Sequence, residues 1–192
     1  MDRFDASGAE LRVGGLPLSR LAERVGQTPF YAYDRSLIAA RIAAVRQVVP
    51  PGVRLHYAIK ANPMAALVGF MRPLVDGMDV ASAGELKLAL DAGADPLSIG
   101  FAGPGKRAAE LRQAVASGVL LHVESARELQ LLAKAAQDLG MPARVALRIN
   151  PDFELRGAGM HMGGGAKPFG IDAEQVPAML RSMHQDGVVF EG

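Results

Sequence analysis

The 192-residue sequence contains no cysteine. That absence excludes disulfides and thiolate metal sites, and it leaves the redox compartment open. Neither sign of charge dominates: the formal net charge is +1, and the lysines and arginines are scattered. No electrostatic footprint for nucleic acid or an anionic membrane surface results, so a small-molecule partner is expected. Long apolar runs are missing too. The most apolar stretch, 64–75, is broken by Arg72 and Pro73, well short of the roughly 20 residues that span a bilayer. The first residues, MDRFDASGAELRVGG, carry acids and glycines where a signal peptide needs a basic start and an apolar stretch. The sequence therefore reads as that of a cytoplasmic protein.

Against these absences stands an ordinary globular composition, 49% hydrophobic and 21% charged. Such a chain buries a substantial core, and one domain is the default for its length. After a polar segment over 1–27, TPFYAYD predicts a short strand, and Ile38, Ile42, Val45 and Val49 recur at helical spacing until Pro50-Pro51-Gly52 stops the pattern. From there short apolar runs alternate with helical segments. VRLHYAIK, GMDVAS, LSIGFAG, VLLHVES, RVALRIN and VVFEG are the six strand candidates. Between them, Leu86, Ala89 and Leu90 mark one amphipathic helix, Leu111 and Val115 a second, and Leu129, Leu132, Ala133 and Ala136 a third.

Ser82-x-x-Glu85 and Ser125-x-x-Glu128 have the spacing of capping boxes directly after a strand. The βαβα alternation implies an α/β fold with parallel strands, either an open doubly wound sheet or a (β/α)8 barrel. No G-x-G-x-x-G follows the first strand, which weakens the dinucleotide-binding form and favours the barrel. Six strands do not close an eight-stranded barrel. The expectation is an incomplete barrel over 28–192, with the remainder downstream.

Side chains that share a strand face suggest where chemistry sits. Alternation puts His56, Ala58 and Lys60 on one face, with Lys60 closing the strand among small neighbours, Ala58 and Ala61. Barrel active sites are built at such C-terminal strand ends, and a partly desolvated lysine attacks carbonyls to form Schiff bases. The alternative is a solvent-facing lysine. Asp79 shares a face with Ala81 at the end of the second strand, where Lys60 is a reasonable cationic partner; a turn-end aspartate is the other account. Ser82 and Glu85 are better explained as helix caps than as ligands. Arg148, facing the same way as Ala146 and Asn150, needs an anion, which Asp79 or a cofactor would provide unless it forms a structural ion pair. His122 and Glu124 share a face and read as a satisfied polar pair.

AGPGK at 102–106 lacks the G-x-x-x-x-G-K-[ST] spacing of a phosphate loop and reads as a βα turn. GMHMGGGAKPFG at 159–170, with three consecutive glycines, predicts a mobile or closely approached functional loop. His161 has no second ligand at i+3 or i+4, so no metal site is expected.

Taken together, YAIKAN, DVASAGEL, AGPGK, LRINPDF and KPFGI resemble the fold-type III pyridoxal-phosphate enzymes, the diaminopimelate/ornithine/arginine decarboxylase group. The resemblance runs from about Thr28 to Gly192. It is strongest to the diaminopimelate-decarboxylase-like branch associated with exosortase and polysaccharide loci, whose members share AGPGK and GMxMGGG. It implies an alanine racemase-like (β/α)8 barrel with a C-terminal β-domain, a head-to-tail homodimer, and pyridoxal 5'-phosphate as cofactor. Lys60 matches the lysine that forms the Schiff base, Asp79 a carboxylate beside it, and Arg148 an active-site arginine. The cofactor-stacking histidine, the glycine-rich phosphate loop and the carboxylate at the pyridine nitrogen are expected beyond Gly192, so the 192 residues alone are expected to turn over little substrate. The implied activity is decarboxylation of diaminopimelate or a related basic amino acid, which belongs to lysine biosynthesis. A racemase, or a non-catalytic cofactor-binding homologue, are the alternatives the motifs leave.

Overall fold

Six short parallel strands form the central sheet of the computed structural model, which describes residue 4 and residues 10–153, 167–183 and 186–192. The chain divides into two units, Met1–Val53 and Arg54–Gly192. In the first, the two-residue strands β1 (Arg12–Val13) and β2 (Leu16–Pro17) pair antiparallel, and helices α1 (Leu18–Val25) and α2 (Arg35–Val48) follow. The Asp34 carboxylate caps α2 by accepting from the Ser36 N–H at 2.8 Å. TPFYAYD forms no strand, contrary to its aromatic content: 30–34 has no regular secondary structure, and Tyr31 is 92% exposed. β-propensity reflects packing against neighbouring strands, and here there is none to pack against.

The second unit holds the sheet, built from β3 (His56–Ala58), β4 (Gly77–Val80), β5 (Ile99–Phe101), β6 (Leu120–Val123), β7 (Ala143–Leu147) and β10 (Val188–Phe190). They lie in the order β10-β7-β6-β5-β4-β3, every neighbour parallel. Helices α3 (Ala65–Met71), α4 (Ala83–Asp91), α5 (Ala108–Ser117), α6 (Ala126–Leu139) and α7 (Val176–Ser182) make the crossovers. All six strand candidates are present, and the arrangement is an α/β partial barrel. One candidate is divided: RVALRIN splits at Arg148 into β7 and a separate strand β8 (Ile149–Asn150), which pairs with β9 (Ile171–Asp172).

Alternation sorts the sheet into two faces. Met78, Val80, Ile99, Phe101, Leu121, Val123, Ala143 and Val145 are buried in one core with Leu86, Leu111, Val115, Leu129 and Leu132 of the helices. Fully burying a side chain of this size is worth about 1.5–3 kcal/mol, so this helix-side face carries the stability. The opposite face presents His56, Ala58, Gly77, Asp79, Gly100, His122 and Ala146, with Asp79 about half exposed.

Serine caps set the helices against the strand ends. Ser82 Oγ accepts from Glu85 N, and Ser125 Oγ from Glu128 N, both at 3.2 Å. The return bond differs from a standard capping box. Glu85 reaches Ala81 N at 2.7 Å and Glu128 reaches Glu124 N at 2.8 Å, one residue before the cap in each case.

Candidate functional site

Lys60 does not continue strand β3 as its alternation implied. The strand ends at Ala58, and Lys60 is the middle residue of a single 3₁₀ turn, Ile59–Ala61, at the C-terminal end of the sheet. Both sides of that turn are pinned. Ile59 is fully buried, Asn62 N donates to Ile59 O at 3.1 Å, and the Tyr57 hydroxyl donates to Asn62 O at 2.9 Å. The Lys60 side chain is exposed, and among the described residues it makes no hydrogen bond or ion pair.

Asp79 is paired with His56 and not with Lys60: Asp79 Oδ1 lies 3.0 Å from His56 Nδ1. Register explains the difference. His56 lies opposite Gly77 and Ala58 opposite Asp79, so Asp79 meets the imidazole on a diagonal. A Cβ on Gly77 would stand 2.5 Å from His56 Cε1 and 2.3 Å from Ser98 O, so glycine there is what lets the ring lie across β4.

On the other side of Asp79 lies Gly100, its partner in β5. A Cβ on Gly100 would be 3.2 Å from Asp79 Oδ1 and 3.0 Å from His122 Nε2. The missing side chain therefore leaves a notch bounded by a carboxylate and an imidazole. Burial holds the His122 pKa below its ordinary value, with the Asp79 charge acting in the opposite direction and Lys106 and Arg148 reinforcing the decrease.

His122 and Glu124 do not pair with each other as their shared face suggested. Glu124 stands just past the end of β6, buried, and ties three segments together. Its Oε1 accepts from Gly103 N at 2.6 Å and from Arg148 Nη1 at 3.0 Å, and its Oε2 accepts from Gly170 N at 3.0 Å. Arg148 thus finds its anion in Glu124, not Asp79, and its guanidinium lies 4.9 Å from the centre of the Phe169 ring, a cation–π contact. Phe169 and Gly170 belong to KPFGI; the glycine-rich residues 159–166 before it lie outside the described residues. Ser82 and Glu85 serve as the cap of α4, as their spacing indicated.

Lys106 had no role in the sequence beyond closing the AGPGK turn, yet its side chain is 1% exposed and its ammonium is fully engaged. It donates to Gly103 O at 2.6 Å and His122 O at 2.9 Å, and lies 2.5 Å from Glu128 Oε1. Burial raises the Glu128 pKa, and the Lys106 charge opposes that rise. Lys106, Glu128, Glu124 and Arg148 form a buried ionic frame beneath the ends of β5, β6 and β7. The AGPGK motif was the one signal that singled Lys106 out, and phosphate-loop spacing was the wrong test for it.

Comparison with known proteins supplies the family. The model of the pyridoxal-dependent decarboxylase pyridoxal binding domain matches residues 35–192. A diaminopimelate decarboxylase of Pseudomonas aeruginosa is 40% identical over 158 residues, covering 81% of this chain and 38% of that protein. An L-glutamyl-[BtrI acyl-carrier protein] decarboxylase of Niallia circulans is 39% identical over 155 residues, 80% of this chain and 36% of its own length. The crystal structure of Helicobacter pylori diaminopimelate decarboxylase complexed with L-lysine superposes with a TM-score of 0.79 at 31% identity, over 88% of this chain and 44% of that one. The chain thus spans less than half the length of these relatives. With the parallel sheet, the lysine at the end of β3 and a match over residues 35–192, the chain belongs to the pyridoxal-dependent decarboxylases, as their pyridoxal binding domain.

Proposed function

We propose that this chain supplies the cofactor-binding part of an amino-acid decarboxylase in which Lys60 carries pyridoxal 5'-phosphate, acting on diaminopimelate or a related basic amino acid. The observation that carries this is Lys60 itself, an amine with no partner among the described residues at the C-terminal end of a parallel sheet. Every other lysine or arginine around the mouth for which contacts are described, Lys106 and Arg148, is held by a carboxylate. An unpaired amine is what condensation with an aldehyde requires.

The residues present fit the cofactor. Lys60 provides the amine, Asp79 a carboxylate held from behind by His56, and Gly100 the notch that a side chain would fill. When bound, the cofactor supplies an electron sink for the bond broken at the amino acid's α-carbon. The protein's part is to hold and orient. Lys60 would hold the cofactor through its free amine at the C-terminal end of the sheet. Asp79 would present its carboxylate to the cofactor from the open face of the sheet, held there by His56. Glu124 fixes the Gly103 and Gly170 backbones and aims Arg148 over Phe169, which keeps the rim in one shape while substrate enters. Carbon dioxide leaves, and a proton takes its place at the α-carbon. From diaminopimelate that yields lysine, the compound present in the Helicobacter pylori structure.

The same proposal has the enzyme act as a homodimer in the cytoplasm, which sedimentation of the purified protein and cell fractionation check. Its central test uses the longest reading frame that contains these residues. Borohydride reduction after addition of pyridoxal phosphate should give one reduced adduct, mapping to Lys60 and absent from Lys60→Ala. A panel of diaminopimelate, lysine, ornithine, arginine and carrier-protein-linked glutamate should release carbon dioxide fastest from diaminopimelate. No adduct at Lys60 would refute the cofactor assignment; release from the carrier-linked substrate alone would refute the substrate.

A further inference from the structure

We infer that His122 is a positioning residue of this site, which together with His56 brackets the Asp79 carboxylate from both sides across the sheet's open face. The inference deepens the role proposed for Asp79 and rests on it for its catalytic meaning. His56 Nδ1 holds Asp79 Oδ1 at 3.0 Å from the β3 side. From the β6 side, His122 Nε2 faces the same oxygen across Gly100, both atoms lying within 3.2 Å of the point where a Cβ of residue 100 would be. Strands β3, β4 and β6 thus contribute imidazole, carboxylate and imidazole, with β5 passing between the last two and glycines at 77 and 100 as the spacers that admit the two rings.

A carboxylate rotates freely about its terminal bond unless its oxygens are held. His56 alone constrains one oxygen of a residue that is half exposed. A second imidazole across the notch leaves the carboxylate one favourable orientation and restricts where a polar atom of water or cofactor can settle between them. His122 is suited to this because it is neutral around physiological pH: burial depresses its protonation. A neutral ring donates one hydrogen bond without cancelling the charge of Asp79. The charged and titratable groups facing His122 are Asp79 on β4, Lys106 in the β5–α5 turn, Glu124 at the end of its own strand, and Arg148 after β7. Lys106 also fixes the His122 backbone, through the carbonyl that accepts from its ammonium at 2.9 Å. His56 reaches His122 through Asp79.

The test is an imidazole nitrogen NMR titration of the 192-residue chain, comparing wild type with Asp79→Asn, Gly100→Ala and His122→Asn. In the wild type, His122 should titrate below the ordinary histidine value, and Asp79→Asn should move it further down because the larger of the two carboxylate attractions for its proton, those of Asp79 and Glu124, is lost. Gly100→Ala changes no charge and inserts a methyl into the notch, so it should shift the His122 midpoint in the same direction. In His122→Asn, the His56 ring resonances should move through the shared carboxylate, which His56 Nδ1 meets at 3.0 Å. In the longer reading frame, the same variant should slow formation of the reducible Lys60 adduct severalfold and change its pH profile, with urea stability retained.

A His122 midpoint indifferent to both Asp79→Asn and Gly100→Ala would overturn the bracket. An intact bracket with no adduct at Lys60 would instead refute the cofactor assignment and leave the coupling standing.

Discussion

Replacing Lys106 with methionine should be among the most damaging single changes in this chain, although the sequence marks it only as the end of a turn. The lysine side chain is 1% exposed and that of its partner Glu128 is 8% exposed, 2.5 Å away. Removing one member of a buried ion pair leaves the other charge without compensation, which typically costs about 3–5 kcal/mol. Two carbonyls, Gly103 O and His122 O, lose their donor at the same time. With a urea m-value of about 2 kcal/mol/M, the unfolding midpoint should fall by about 1.5–2.5 M.

The loss has a definite pH dependence. The folded-state pKa of Glu128 is already raised above its ordinary 4.5 by burial, and without Lys106 it rises further. A carboxyl whose folded pKa exceeds its unfolded one contributes its stability below the unfolded value and loses it as pH rises through the folded value. The Lys106→Met penalty should therefore be smallest near the ordinary glutamate pKa and grow toward neutrality. The double variant Lys106→Met/Glu128→Gln, which removes both charges, should recover most of the midpoint at neutral pH. Urea titrations at acidic and neutral pH decide the matter. A Lys106→Met cost below about 1 kcal/mol at neutral pH, or one that does not vary with pH, would refute the buried-pair account.

Three further changes test other parts of the fold. Gly170→Ala should destabilise by about 1–3 kcal/mol in urea unfolding, because the residue has φ +75° and a Cβ would fall 2.9–3.0 Å from the backbone of Arg148, Ile149 and Asn150. Ser125→Ala should cost about 1 kcal/mol through loss of the cap on α6, seen as a lower thermal midpoint, since Ser125 Oγ accepts from Glu128 N. Leu132→Ala should cost about 2–5 kcal/mol by calorimetry or urea, as Leu132 is fully buried in the main cluster.

Much of the architecture was readable because its signals are local. Periodicity located all six parallel strands and the helices α2, α4, α5 and α6, and the serine-glutamate spacings located two helix starts. Lys60 was readable at the end of a strand among small residues. The partners of the site residues were not. Asp79 meets His56 instead of Lys60 because β3 ends at Ala58 and the register sets His56 opposite Gly77, on the diagonal to Asp79, which nothing in either segment specifies. Arg148 meets Glu124 because β7 ends at Leu147 and the chain turns there, so alternation carried past the strand end aimed it wrongly. Lys106 and Glu128 are 22 positions apart, and only the packing of α6 against the β5–α5 turn makes them neighbours. TPFYAYD has the composition of a strand but no strand beside it.

The two faces of the sheet answer to different demands, and the glycines show it. Glycine within a strand weakens it, having no side chain to pack and more backbone entropy to lose. Yet Gly77 and Gly100 stand in adjacent strands on the face that carries Asp79 and His122, and never on the face that packs the helices. Stability alone does not account for that distribution, since Met78, Val80, Ile99 and Phe101 fill the helix-side positions of the same two strands. What the glycines provide is proximity: each one lets an imidazole from a neighbouring strand lie close to it, with Asp79 between the two rings. Substitutions on the helix-side face should therefore register first in unfolding midpoints, and those at Gly100 and His122 first in the titration of His122 and in adduct formation at Lys60. The open face is where the polar side chains and glycines gather, while the large apolar side chains of the same strands pack on the helix side.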